Sequence, residues 1–437
     1  MVVQSARTTT RTAGGRPTRV VVTGVGVVSA AGVGREALWS NLIAGRSGIG
    51  PLRSIPTGQL PCKLAAEIEG FEAAQFLRNR KLQKVMSRDI ELGVGAAALA
   101  TADARLRVGD VDPDRLGVVF GAGRISPTPH ELVRAAASCS RDASFEFERF
   151  DEEAMAHIYP LWLLPQLPNM PACHIAIEHD ARGPNNTITS REASALLALA
   201  EGLHAIRRGV ADQMIVGACG SELNPHDVAR LSLGPDLTRH ADPTRCHGPF
   251  DLFRDGWVLG EGAAAFVIES YDSAVRRGAE IYAEVLGVAG GADGAGDENV
   301  RRGIGLVRAI SAAMKQAGIE PGELGHINAD GKATLKDDWI EARAYHQALG
   351  SAAERIPVTG LKSYFGTFDA GSGAVELAAT LLALKEGQVP GTLNYVTPDP
   401  LCRLNVIANE PARLTSSLAL KVNRTALGQS VAAVIRG

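Results

Sequence analysis

The segment GPNNTITSREASALLALAEG, residues 183–202, places an Arg191-Glu192 pair where a polar strand runs straight into a small-residue helix. Free N–H groups and the helix dipole favour negative charge at a helix N-terminus, and folds place nucleophiles and anions there. Glu192 suits that field as a reacting carboxylate, or as a first-turn acid that only complements the dipole. A second candidate is Gly24-x-Gly26 in RVVVTGVGVVSAAG, which invites a dinucleotide reading. Ser29 stands where the third glycine belongs, and no strand with an acidic residue follows at the right distance. The spacing therefore predicts a structural turn after a buried strand, and no nucleotide cofactor. Cys62, Cys139, Cys173, Cys219, Cys246 and Cys402 form no CxxC and no Cys/His set with zinc spacing, so no metal is expected. They read as small buried hydrophobes in a reducing compartment. His174 and His179 in ACHIAIEHD are expected to pack or to meet a partner subunit rather than bind a ligand. Cys246-His247 is a lone pair in a polar loop. Tyr159, Trp162 and Leu163-Leu164 read as a capping helix or a dimer surface.

Such residues act only if a fold holds them, and the composition is that of a globular chain. Of 437 residues, 45% are hydrophobic and 21% charged. A net charge of −3 gives no support for nucleic acid or a membrane surface as partner. No 18-residue uncharged apolar run exists, so no membrane span is expected. The opening MVVQSARTTTRTAGGRP lacks the apolar stretch of a secretory signal. Residues 1–18 are expected to be a disordered tail, with an organelle transit peptide as the alternative, and the protein to be cytoplasmic. From Arg19 onward, β-branched runs such as RLGVVFGAG and ADQMIVGACGSEL alternate with helical segments such as ELGVGAAALATADARL and GAVELAATLLALKEG. The alternation implies an α/β fold with helices on sheet faces. A first series of elements ends at GEGAAAFVIES and a second begins at IYAEVLGVAGG, which predicts two duplicated halves, residues 19–268 and 269–437.

Several motifs in sequence order carry a family resemblance. RVVVTGVGVVSAAGVG, LIAGRSGIG, GPNNTITS with its small-residue helix, PFDLFRDGWVLGEGAAAFVIE, HINADGKATLKDD, GLKSYFGTFDAGSGAVE and VNRTALGQSVAAVI resemble an elongating β-ketoacyl-acyl-carrier-protein synthase over residues 19–437. PFDLFRDGWVLGEGA, close to FDxxRDGxVxGEGA, is the most specific of them. The resemblance implies a thiolase-like fold, with two duplicated halves in a five-layered αβαβα arrangement. It also assigns roles by position. The acyl-accepting cysteine is replaced by Glu192, the first catalytic histidine by Asp330, and the second by Thr367, while Lys362 is retained. Lys332 replaces a small hydroxyl residue, and Ala426-Leu427-Gly428-Gln429 replaces the loop that carries an oxyanion donor and a gating phenylalanine.

Those replacements imply lost chemistry. Claisen condensation needs a soft nucleophile to hold the acyl group, and a carboxylate would give an unstable mixed anhydride. Malonyl decarboxylation needs donors aimed at the enolate oxygen, which an Asp330 carboxylate would repel. The expectation is a chain-length-factor-like, catalytically silent homologue that pairs with an active ketosynthase and meets acyl carrier protein. Glu192 rather than glutamine is a departure from that class. Two alternatives stay open: an acyl-thioester enzyme using Glu192 and Asp330 as acid and base, and a homodimer that binds acyl carrier protein or an acyl ligand. Lys332 and Lys362 are expected to neutralise the two carboxylates. Arg254, Asp255 and Glu261 are expected to hydrogen-bond across the two halves. The subunit contact is expected at Asn185, Asn186, Thr187 and Ile188, with their polar groups satisfied across the boundary or by the following loop.

Overall fold

The computed structural model describes residues 18–58, 60–127, 129–142, 144–246, 248–294, 296 and 302–437. The tail up to Pro17, His247 and part of the Gly-rich stretch at 290–299 lie outside the described residues. The β-branched run VVVTGVGVVS forms β1 (Val20–Ser29), buried at every position. The turn predicted at Gly24 and Gly26 is not there: the strand runs through both, with a register shift between Val22 and Gly24. The glycines serve packing instead. A Cβ on Gly26 would sit 2.1 Å from the Ala96 carbonyl oxygen, on the helix that crosses the strand.

Four more strands complete the first half: β2 (Leu116–Ala122), β3 (Asn185–Ile188), β4 (Gln213–Ser221) and β5 (Leu259–Ser270). Their order is β3-β2-β4-β5-β1. The neighbours β3, β2 and β4 are parallel, and β5 is antiparallel to both β4 and β1. The second half repeats this with β6 (Ala283–Ala292), β7 (His326–Asn328), β8 (Pro357–Thr359), β9 (Leu418–Arg424) and β10 (Gln429–Arg436). Its order is β8-β7-β9-β10-β6, with β10 again antiparallel to its neighbours. β1 and β6 pair at only two positions, Val21 with Glu284 and Val22 with Ala283, and join the two half-sheets. The last strand of the first half extends to Ser270, two residues beyond the predicted division at 268.

Helices fill three layers around the two half-sheets. Those used below are α1 (Arg35–Ile43), α2 (Arg88–Asp103), α3 (Met170–His179), α4 (Ser194–Arg207), α5 (Ile304–Ala317), α6 (Leu335–Leu349) and α7 (Ala370–Glu386). α2 and α3 cover the outer face of the first half-sheet, and α5 with α6 the outer face of the second. α4 and α7 lie between the sheets. Leu199 and Leu203 of α4 share a core with Leu377 and Leu381 of α7, Val216 of β4 and Ile435 of β10. Adjacent residues of one strand serve opposite layers: Val216 faces inward, while Ile215 packs with Val94 of α2. Such strands are buried on both faces, so their sequences are continuous apolar runs. The central layer holds the buried polar side chains Glu192, Ser372, Glu376 and Thr380.

Candidate active site

α4 begins where β3 ends, through a 3₁₀ turn at Arg191–Ala193. Arg191 takes φ 48°, a left-handed conformation that costs a non-glycine residue about 1–2 kcal/mol. This sharp reversal leaves Glu192 only 5% exposed in the central layer. From the second half, the loop after β7 brings in Asp330, Gly331 and Lys332. Glu341 of α6 straps that loop down, accepting from the N–H of Asp330 at 2.7 Å and of Gly331 at 2.8 Å. Asp338 accepts from the N–H groups of Lys332 at 2.9 Å and Ala333 at 3.1 Å. Lys362 and Thr367 come from the turn after β8, and α7 follows directly.

The side chains meet as a chain of alternating charge. Arg191 Nε lies 3.5 Å from Asp369 Oδ1 and 3.8 Å from Glu192 Oε2. Lys332 Nζ is 2.6 Å from Glu192 Oε1 and 3.9 Å from Asp330 Oδ2. Lys362 Nζ is 2.9 Å from Asp330 Oδ1 and 2.6 Å from Glu376 Oε1. Lys421 Nζ closes the series 2.7 Å from Glu376 Oε2. Asn423 Nδ2 donates to both Asp330 and Glu376, at 2.9 Å each. Four acids and four bases alternate, so their formal charges cancel. The structure thus joins Glu192 and Asp330 through Lys332. Thr367 stands apart: its hydroxyl is buried with no hydrogen-bond partner among the described residues, and so are Glu192 Oε2 and Asp369 Oδ1.

Burial raises the Asp330 carboxyl, but Lys362, Lys332 and Lys421 outweigh it and hold the group well below the usual carboxylate range. Burial works against charge on Lys332 and Lys362 too, yet their carboxylate partners keep both above an ordinary lysine. Lys421 is lowered, because burial and the repulsion of Lys362 outweigh Glu376. At the chain's outer end, burial raises Asp369 to about 6 against the pull of Arg191. Firmly protonated amines and a firmly ionised Asp330 are poor nucleophiles and poor proton shuttles near neutral pH. A cavity of about 30 Å³ reaches Lys332 and Lys362 past Trp257, Val258, Cys246 and Asn394. It has room for about one water, not an acyl chain.

Sequence reasoning missed Glu376, Lys421 and Asn423. The signal was present: Glu376 is the lone charge inside GAVELAATLLAL, and Lys421 the lone charge inside LALKV. Isolated charges in elements this apolar need opposite partners when buried. The signature around Arg254 also differs from expectation. Arg254 does span the halves, bonding Asp399 at 2.7 Å, Asp338 at 3.1 Å and the Thr334 carbonyl at 3.0 Å. Asp255 and Glu261 stay within the first half, on Thr238 and Arg88. Asn185 and Asn186 are exposed and bonded within their own chain, to the Ala172 carbonyl of α3 at 3.4 Å and to Glu201 of α4 at 3.0 Å, not to the following loop. Thr187 and Ile188 are half-buried. All six cysteines are free thiols, five of them buried. His174 is buried, with both ring nitrogens unpartnered among the described residues. Tyr159 and Leu163 are exposed. Among the described residues no set of three His, Cys, Asp or Glu could hold a metal ion, and no helix is long and apolar enough to cross a membrane.

Known proteins share this architecture. Residues 17–274 match the beta-ketoacyl synthase N-terminal domain and residues 282–396 its C-terminal domain. The 3-oxoacyl-(acyl-carrier-protein) synthase 2 of Synechocystis sp. is 33% identical over 404 residues, covering 92% of this chain and 94% of its own. The solved structure of a type II PKS acyl-carrier protein in complex with its ketosynthase bound to the hexaketide superposes with a TM-score of 0.82 at 28% identity, covering 97% of this chain and 100% of the other. The ishigamide ketosynthase/chain length factor gives 0.84 at 27% identity, covering 96% and 99%. The two solved structures share this chain's thiolase-like fold.

Proposed function

The chain belongs to the β-ketoacyl synthase family, and from that premise we propose that it is a catalytically silent member, which pairs with an active ketosynthase in fatty-acid or polyketide chain elongation. The relationships to 3-oxoacyl-(acyl-carrier-protein) synthase 2 and to a ketosynthase/chain length factor support the pathway class. The observation that carries the silent role is the ion chain. Where condensation needs a thiolate and two imidazoles, this protein has Glu192, Asp330 and Thr367, with both carboxylates tied to buried lysines. A decarboxylating enolate needs donors with no competing anion beside them. Here Lys332 and Lys362 are already occupied, and Asp330 adds negative charge. The same occupancy argues against Glu192 and Asp330 as an acid–base pair, since neither lysine nor Asp330 changes protonation near neutral pH.

Pairing is assigned to the edge formed by β3. Among the described residues β3 pairs only with β2, which leaves its other edge as an open row of N–H and C=O groups there. A partner strand laid there would extend the sheet, with Ile177 of the adjacent α3, which is 55% exposed, covered at the same time. The partner is a different chain with an intact nucleophile, and the interface is of obligate size, above about 2,000 Å² in total. Acyl carrier protein is met by the pair rather than by this subunit acting alone. The test is native mass spectrometry after co-expression with candidate ketosynthases, beside an acylation assay on this chain alone. A one-to-one complex and no covalent acylation are expected. Stable acylation of the isolated chain, or a monomer that ignores every such partner, would overturn the assignment.

A further inference from the structure

A second cavity lies at the seam where β1 meets β6, and shares no residue with the ion chain. It is a half-open cleft of about 400 Å³, within the range that takes a small organic molecule. Arg19 and Glu284 line it from the region of β1 and β6, Arg436 from the end of β10, Arg207 from the end of α4 and Gln316 from the end of α5. Three guanidinium groups therefore reach one space.

Their charges are not balanced. Glu284 accepts from Arg19 Nε at 2.9 Å, from Arg19 Nη2 at 2.8 Å and from Arg436 Nη2 at 2.6 Å. That carboxylate is fully engaged. Arg207 is left over: its Nε donates to the Thr18 carbonyl at 3.3 Å, and its two terminal nitrogens have no acceptor among the described residues. Asp272, the other acid lining the cavity, is exposed and pairs with none of the three arginines. Burial lowers the Arg207 guanidinium, with only partial relief from Glu284. A partly dehydrated cation with unused donors gains from an anion that replaces its lost water. Gln316 spends its carbonyl oxygen on the Val288 N–H at 3.1 Å, which leaves its amide donors for the cavity. Leu286 and Ala317 add an apolar wall.

We propose that this seam cavity binds the phosphate group of a small organic phosphate, with the fork of Arg207 as its principal partner. Planar guanidinium forks match tetrahedral oxyanions in two-point contacts, and the volume beyond the fork accommodates an organic body against Leu286 and Ala317. The inference is independent of the silent role assigned above. The test is isothermal titration of the purified full chain with glycerol 3-phosphate and with inorganic phosphate, at matched ionic strength. Glycerol 3-phosphate should bind saturably and at least as tightly as inorganic phosphate. R207Q should weaken it about tenfold or more, and R436Q, which still leaves Glu284 paired with Arg19, serves if R207Q fails to fold. Inorganic phosphate binding with glycerol 3-phosphate excluded would overturn the organic ligand. No saturable heat from either, or unchanged affinity in a folded R207Q, would overturn the site.

Discussion

Replacing Lys362 with methionine removes the central cation of the ion chain while keeping most of the side-chain volume. Lys362 is 4% exposed, and it touches Asp330 at 2.9 Å and Glu376 at 2.6 Å. At an effective dielectric near 20, each contact represents about 6 kcal/mol of gross Coulomb attraction. Most of that is offset by the dehydration of three buried groups, but the two acids stay dehydrated when the lysine is gone. The net loss is therefore about 3–5 kcal/mol, the usual consequence of leaving a buried charge uncompensated. Unfolding entropy of about 2.1 cal/mol/K per residue gives about 0.9 kcal/mol/K for a chain of 437 residues. K362M should thus melt about 3–5 °C below the parent in a circular dichroism scan at pH 7. The deficit has a defined pH dependence. In the parent, Asp330 is depressed below its unfolded value of about 3.9, so its stabilisation is complete above that value and is lost only as pH falls through the depressed folded value. In K362M the largest opposing influence is gone, burial raises the group, and protonation relieves the strain. The difference between the proteins should then be greatest at neutral pH and shrink as pH falls toward 4. D330N on the K362M background should recover part of the loss. An unchanged melt, or a deficit that is flat from pH 7 to 4, would refute the ion chain as a structural element.

E192C places a thiol at the start of α4 beside Lys332, yet it should form no β-ketoacyl product, because the site has no room for an acyl chain and Asp330 and Thr367 supply no enolate donors. Measurable condensation by this single variant would show that those two positions do not govern the chemistry. R254A strands Asp338 and Asp399 across the two halves and should cost about 3–5 kcal/mol in chemical denaturation; a loss below about 1 kcal/mol would mean that the pairing across the halves is dispensable. G26A forces a methyl into the Ala96 carbonyl and should cost about 1–3 kcal/mol, measured by chemical denaturation, or lower soluble yield; a parent-like stability would mean that the close crossing of α2 over β1 is not required.

Much of the fold was legible because its signals are local. The β-branched run from Val20, the continuous apolar strands and the small-residue helices each state their own period and burial. The repetition of the strand–helix series also announced two halves. Motif order also picked out Glu192, Asp330, Lys332 and Lys362, which meet in the ion chain, and Thr367, which stands apart from it. What the chain could not state locally was which group faces which. Glu376 and Lys421 lie 45 residues apart in sequence, on a helix and a strand of different layers, yet their side chains meet at 2.7 Å. The same holds for Gly24 and Gly26, whose spacing suggests a turn until α2 is laid across them. It holds again for Arg254, which crosses the halves, while its neighbours Asp255 and Glu261 do not. Periodicity fixes the buried face of an element from its own residues. The partner across that face depends on the register and crossing of elements far apart in sequence, and only the packed tertiary structure determines those.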